Sequence, residues 1–211
     1  MICDYATRQA LEQFPEFDDR ARRRLEVLSE ALREENTSQN LIAANSMDEI
    51  WHRHFLDSAQ LLKHVPRETS SWLDLGTGAG FPGLVAAIFK PEISVKLVES
   101  RKRRVQWLEH AVSLLQLENV TVLGNRLELV EGFPADVISA RAFAPLPKLL
   151  DLSARFSTID TVWLLPKGRS AAQELSDLRG WQHSFHVEQS LTDPEAGVIV
   201  GTLAGKKVAR A

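Results

Sequence analysis

Between residues 71 and 84 the chain reads Ser71-Trp72-Leu73-Asp74-Leu75-Gly76-Thr77-Gly78-Ala79-Gly80-Phe81-Pro82-Gly83-Leu84, a short apolar run followed by closely spaced glycines. The apolar part suits a buried parallel strand, and the glycines let the backbone turn sharply and admit a ligand closely. A helix beyond the turn would present amide groups without intrahelical partners to an anionic or carbonyl group at the strand's end. The pattern argues against two common ligands. In a Gly-x-Gly-x-x-Gly dinucleotide fingerprint counted from Gly76, the third glycine position is Phe81. A Walker loop needs a lysine after its last glycine, and none occurs between Trp72 and Phe89.

What remains, Asp-x-Gly-x-Gly-x-Gly over Asp74 to Gly80, is similar to the first motif of class I S-adenosylmethionine-dependent methyltransferases. Its competitor is a glycine turn with a structural role only. At 211 residues, 44% hydrophobic and 25% charged, the chain has room for one α/β domain with a small appendage. Cys3 is the single cysteine, which excludes an intrachain disulfide and a cysteine-built zinc cluster, so no metal is expected. The sequence has no signal-like start and no run of about 18 apolar residues, so a cytoplasmic protein without a membrane partner is expected. A net charge of −3 argues against indiscriminate nucleic-acid binding. Two basic runs, Arg20 to Arg24 and Arg101 to Arg104, are local candidates, with solvated helix faces as the alternative.

Taken in order, residues from about 6 to 35 read as helical, with Leu25, Leu28 and Leu32 at helical spacing and Asp18 and Asp19 suited to a helix start. Residues 36–40 form a polar loop. Ser46-Met47-Asp48-Glu49 has a capping-box pattern that starts a helix to about His64, on which Arg53 and Asp57 lie one turn apart. That stretch is either a surface ion pair beside a capped histidine or part of a site. Strands alternate with helices from residue 71, so the expected division is a helical extension over 1–66 packed on a catalytic domain over 67–211. Glu99 closes the second strand beside the glycine loop, where its carboxylate can accept both hydroxyls of a ribose; an exposed strand-end acid is the other reading. Leu127 and Glu128 follow the third strand as candidate readers of an adenine edge, or as an ordinary loop. Arg141 follows the fourth, either facing a ligand or locking its loop in a salt bridge, and Lys167 follows the fifth. The turn at 193–197 predicts an antiparallel pair at the end of the chain.

Asn40-Leu41, Arg53 to Ser58, Asp74 to Gly83, Ser139 to Ala144 and Lys167-Gly168, in that order, resemble the glucose-inhibited division protein B family of bacterial 16S ribosomal RNA guanine-N7 methyltransferases. The resemblance spans nearly the whole chain. It departs from the family at Ile42, where many members carry threonine, and at Ala140, inserted between the usual serine and arginine. It implies an α/β class I methyltransferase fold, Rossmann-like, with a mostly parallel sheet, helices on both faces and extra N-terminal helices. It also implies S-adenosyl-L-methionine as cofactor, and N7 of guanine 527 in the 530 loop of 16S ribosomal RNA, or of the small ribosomal subunit, as target. Carried over by position, Gly76, Gly78, Phe81, Glu99, Leu127, Glu128 and Arg141 are cofactor contacts, and Asn40, His54, Asp57, Arg141 and Lys167 are substrate-site candidates without separate catalytic roles. A monomer is expected. Guanine N7 carries an available lone pair, so a general base is not obligatory. The competing readings are a class I methyltransferase acting on another RNA or a small molecule, and a ribosome-associated module that binds S-adenosylmethionine without turnover.

Overall fold

The N-terminal helices follow from their caps and apolar spacing. In the computed structural model, which describes residues 3–207, Asp4 caps α1 (Tyr5–Leu11) by accepting the Thr7 amide, and Asp18 caps α2 (Asp19–Glu35) by accepting the Ala21 amide. The helical stretch expected over about 6–35 is thus two helices, and the helix start expected at Asp18 and Asp19 is the start of α2. The chain turns between the two helices, at Pro15, and drops Phe14 and Phe17 onto the ring of Phe89. Leu25, Leu28 and Leu32 are fully buried.

The expected capping box at Ser46 does not form. Ser46 lies inside the short helix α3 (Ala44–Met47), where its hydroxyl donates to the Ala43 carbonyl. The next helical stretch opens as a π-helical turn over Trp51–Leu56 without a side-chain cap, and continues through α4 (Asp57–Ala59) and a 3₁₀ turn at Gln60–His64. π turns inside helices often accompany functional sites.

From residue 71 strands and helices alternate: β1 (Ser71–Leu75), α5 (Gly83–Phe89), β2 (Ser94–Val98), α6 (Lys102–Leu114), β3 (Val120–Leu123), β4 (Val137–Ala140), α7 (Leu146–Ser153), β5 (Val162–Gly168) and α8 (Ala171–Asp177). β6 (Trp181–His183), β7 (His186–Gln189) and β8 (Gly197–Lys206) complete the sheet. The strand order is β3-β2-β1-β4-β5-β8-β6, with β7 also pairing β8. β1 to β5 are parallel and β8 runs antiparallel to β5. The antiparallel pair predicted across the 193–197 turn is β7 with β8.

Alternation along β1 divides the core. Trp72 joins one face with α2, the π turn, α5 and α6, while Leu73 and Leu75 join the other with residues of α7 such as Leu149 and Leu150. Parallel strands covered on both faces need such continuous apolar runs, and the buried carboxylate that interrupts β1, Asp74, marks the site. The strand order reverses between β2-β1 and β4-β5, where open α/β sheets hold ligands at the carboxyl ends of their strands. Register aligns those ends: Leu75 pairs with Val98 on one side and Ala140 on the other, so Gly76, Glu99 and Arg141 leave the sheet at one level. No helix among the described residues is long and apolar enough to cross a membrane.

Candidate active site

Asp74 anchors the glycine loop from beneath. It is fully buried; one carboxylate oxygen accepts the Ser139 hydroxyl at 2.6 Å and the other accepts the Gly83 amide at 3.1 Å. Ser139 in turn accepts the Trp72 indole N–H at 2.8 Å. Burial pushes the Asp74 carboxyl up to about 6, against the hydrogen bonds from Ser139 and Gly83 that favour the anion. The loop above is pinned by Thr77 N–H to the Val98 carbonyl at 3.1 Å and by the Trp107 indole to the Ala79 carbonyl at 3.0 Å. Gly76 has φ of +62°, and a Cβ there would stand 2.4 Å from the Phe143 ring. Glycine is therefore required twice, by backbone conformation and by the close approach of Phe143.

Glu99 is 5% exposed at the end of β2. Its Oε1 accepts the Ser100 and Arg101 amides at 2.7 and 2.8 Å, and its Oε2 lies 3.8 Å from Arg104 Nη1. The second oxygen thus keeps accepting capacity for hydroxyl donors.

Across the mouth, Arg141 gathers residues from the N-terminal helices. Its Nη1 lies 3.3 Å from Asp57 Oδ2, its Nη2 donates to His54 Nδ1 at 3.0 Å, and its guanidinium carbon sits 5.3 Å from the centre of the Phe81 ring. His54 stacks on Phe81 at 5.0 Å. Because His54 Nδ1 accepts from Arg141, Nε2 carries the proton and donates to the Ser46 hydroxyl at 3.1 Å. Burial first, then the charges of Arg141 and Arg53, push the His54 pKa down to about 3. The imidazole is neutral at working pH and serves as an acceptor for Arg141 rather than as an acid. Since the unfolded chain binds a proton here that the folded chain refuses, the His54 contribution to stability is lost as pH falls from about 6.5 toward 3.

A cleft of about 620 Å³ opens beside this cluster, lined by Asp57, Arg141, Phe143, Pro145 and Lys167 among others. Lys167 is nearly buried: Nζ donates to the Ala144 carbonyl at 2.7 Å and pairs with Glu174 at 2.9 Å. Glu174 also accepts the Leu146 amide at 2.8 Å, so Lys167 and Glu174 together brace the loop that carries Arg141 and Phe143. A larger hollow of about 1020 Å³ lies between α1, the π turn and residues 191–196. It touches Asp57 but neither the glycine loop nor Arg141, so the smaller cleft is the one that adjoins the chemistry.

Comparison with known proteins settles the family. The family described as rRNA small subunit methyltransferase G matches residues 21–193. The chain belongs to that family. The rRNA small subunit methyltransferase G of Erythrobacter litoralis is 63% identical over 179 residues, covering 84% of this chain and 86% of that protein. The protein of the same name from Novosphingobium aromaticivorans is 52% identical over 214 residues, covering 99% and 93%. Among solved structures, an S-adenosylmethionine-dependent methyltransferase from Aquifex aeolicus superposes with a TM-score of 0.54 at 17% identity, over 70% of this chain and 89% of that one, which is a likeness of fold. The architecture is the class I methyltransferase fold, which this chain shares with that S-adenosylmethionine-dependent enzyme.

The residues present suit S-adenosylmethionine as cofactor. The loop at Gly76, Gly78 and Gly80 offers backbone without side chains, and a Cβ at Gly78 would meet nothing closer than Arg104 at 3.6 Å. The buried carboxylate of Glu99 at the neighbouring strand end matches the two hydroxyl donors of a ribose.

The structure brings together His54, Asp57, Phe81 and Arg141 at one end of the mouth, with Lys167 across the cleft, and Gly76, Gly78 and Glu99 at the other. Leu127 is buried in a 3₁₀ turn (Leu127–Leu129), with its carbonyl taken by Arg155, and Glu128 is exposed beside it. Asn40 is not part of the Arg141 cluster; it is exposed on the 36–42 loop, which is anchored by buried Leu41 and Ile42 and bonds to Arg103 at the start of α6 through Ser38 and Gln39. The predicted surface pair of Arg53 with Asp57 is replaced: Arg53 pairs with Glu49 at 3.6 Å, and Asp57 turns to Arg141. Sequence reading missed Ser139, Phe143 and Glu174 as site supports. Only Asp74, a carboxylate inside an apolar strand, carried a readable signal.

Proposed function

We propose that this chain transfers a methyl group from S-adenosylmethionine to N7 of guanine 527 in 16S ribosomal RNA. The observation that carries the reading is the junction, at the carboxyl ends of the central strands, of a ribose-suited glycine loop and Glu99 with a separate cleft walled by Arg141, Phe143 and Lys167. When bound, the cofactor supplies an electrophilic sulfonium methyl group. Guanine N7 would accept that methyl group on its own lone pair, so the chain has no proton to remove there. No protein base is needed at N7, in keeping with a site whose histidine is a fixed acceptor. The chain's contribution is positioning, with Phe143 available as an apolar surface for the base and the guanidinium of Arg141 held by Asp57 and His54 at the mouth. Three contacts leave Arg141 with further N–H donors for the guanine edge or a phosphate.

Disruption of the gene should remove 7-methylguanosine at that position from small-subunit RNA, and a plasmid copy should restore it, as read by mass spectrometry of nuclease fragments. Unmethylated RNA in both strains, or full methylation in both, contradicts the reading.

A further inference from the structure

The chemistry above leaves the basic run at the start of α6 without a role. We propose that the first turn of α6, flanked by Arg126 and the 36–42 loop, is the surface on which the phosphodiester backbone of the RNA substrate docks. This inference rests on the ribosomal RNA reading of the active site.

The surface is built around the cofactor side of the mouth. Arg103 donates to the Ser38 carbonyl at 2.9 Å and its own carbonyl accepts Gln39 at 3.1 Å, which fixes the loop bearing exposed Asn40 against one flank of α6. On the other flank Val105 lies against Gly124, where a Cβ would be 3.0 Å from its methyl, and this sets exposed Arg126 beside the helix. Arg104 reaches back over the glycine loop toward Glu99.

Arg104 aside, the charges on this rim lack acidic partners among the described residues. Arg8, Arg22 and Arg53 each pair with a glutamate one helical turn away. Arg101, Lys102, Arg103 and Arg126 are exposed and make no ion pair among the described residues. Their position is also the wrong one for helix stability. α1 and α2 begin on capping aspartates, whereas α6 begins on Arg101, with no acid in its first turn and only the buried Glu99 carboxylate, already shared by the Ser100 and Arg101 amides and Arg104, to offset its exposed cations. The partial positive charge of a helix N-terminus favours anions, so adjacent cations there oppose it. A chain of net charge −3 thus concentrates unpaired cations where they weaken a helix. A polyanion resolves that conflict, and release of its counterions drives the contact. Phosphate contacts orient a nucleic acid while base contacts select it. Docked here, the strand can deliver its target base to the Arg141 cleft across the mouth, and Asn40 gains a place beside the backbone.

The test uses the double variant Arg101→Gln/Lys102→Gln and, as a second probe on a loop, Arg126→Gln. Methyl transfer to small-subunit particles from cells lacking the protein is measured across salt concentrations, with cofactor affinity and thermal stability measured alongside. The double variant should raise KM for particles about 10-fold at about 0.15 M salt and lower the slope of log KM against log salt by about 1 to 2, with cofactor affinity within about twofold of wild type. Arg126→Gln should act in the same direction by about half as much on the slope. The control Arg20→Gln/Arg23→Gln removes equally exposed, unpaired arginines near the opposite end of α6 and should move neither quantity. Wild-type KM and slope in both rim variants, or equal changes in the control, overturn the inference while leaving the enzyme's function standing. Failure of the wild-type protein to methylate the particles overturns the functional reading itself.

Discussion

Arg141→Ala is expected to lower kcat/KM for methyl transfer about 100-fold or more, because the guanidinium is the point at which the N-terminal helices and the sheet meet at the mouth of the proposed site. The stability cost is smaller. The Arg141 and Asp57 side chains are 22% and 19% exposed, so solvent screens the pair and the loss is about 1–2 kcal/mol rather than the full penalty of breaking a buried pair. Asp57 keeps Gln60 and Thr192 as donors. The same variant removes one of the charges that depress His54, so its pKa should rise from about 3, readable by NMR titration of the imidazole, although burial still holds it below 6.5. Arg141→Lys should recover little activity, since one ammonium cannot span His54 and Asp57 as the planar guanidinium does. Full activity in either variant would remove Arg141 from the proposed machinery.

Gly76→Ala should cost about 1–3 kcal/mol of stability in a denaturant melt and weaken cofactor binding at least about 10-fold. An alanine must adopt the left-handed conformation at φ +62°, and its methyl would need the space held by the Phe143 ring, 2.4 Å away. Displacing that ring disturbs the wall of the cleft as well as the loop, so cofactor affinity and turnover should fall together. Phe143→Ala in the Gly76→Ala background tests the steric part: it should relieve the clash and leave only the backbone strain, giving a less-than-additive stability loss. Strict additivity would show that the two positions do not touch in the working protein.

The parallel part of the sheet was legible because each strand is a short apolar run closed by glycine, proline or a charge. The right-handed crossover rule then brought Gly76 and Glu99 side by side, as the shared level of Leu75 and Val98 bears out. Arg141 was placed the same way from β4. What local spacing could not supply were partners distant in sequence. Asp57 read as a neighbour of Arg53 because both fit one helix turn, yet its ion pair is 84 residues away, and a π turn carries the intervening residues. The Ser46 to Glu49 motif matched a capping box, but Ser46 is spent on the Ala43 carbonyl and His54. Lys167, a substrate-site candidate by position, lines the cleft and also pairs with Glu174 and donates to the Ala144 carbonyl, bracing contacts that only packing reveals. Nor could local spacing show that Gly201 of β8, at φ +144°, lies so close to the backbone of Ser184 and Phe185, between β6 and β7, that no Cβ fits there.

The most direct measurement is transfer of labelled methyl from S-adenosylmethionine by the purified protein to small-subunit particles from cells that lack it, with the labelled nucleotide mapped. The predicted result is a single 7-methylguanosine at position 527, absent when Arg141 is replaced by alanine. Label at another nucleotide, or cofactor binding with no transfer to the particles, would contradict the assignment of this site to guanine-N7 methylation of 16S ribosomal RNA.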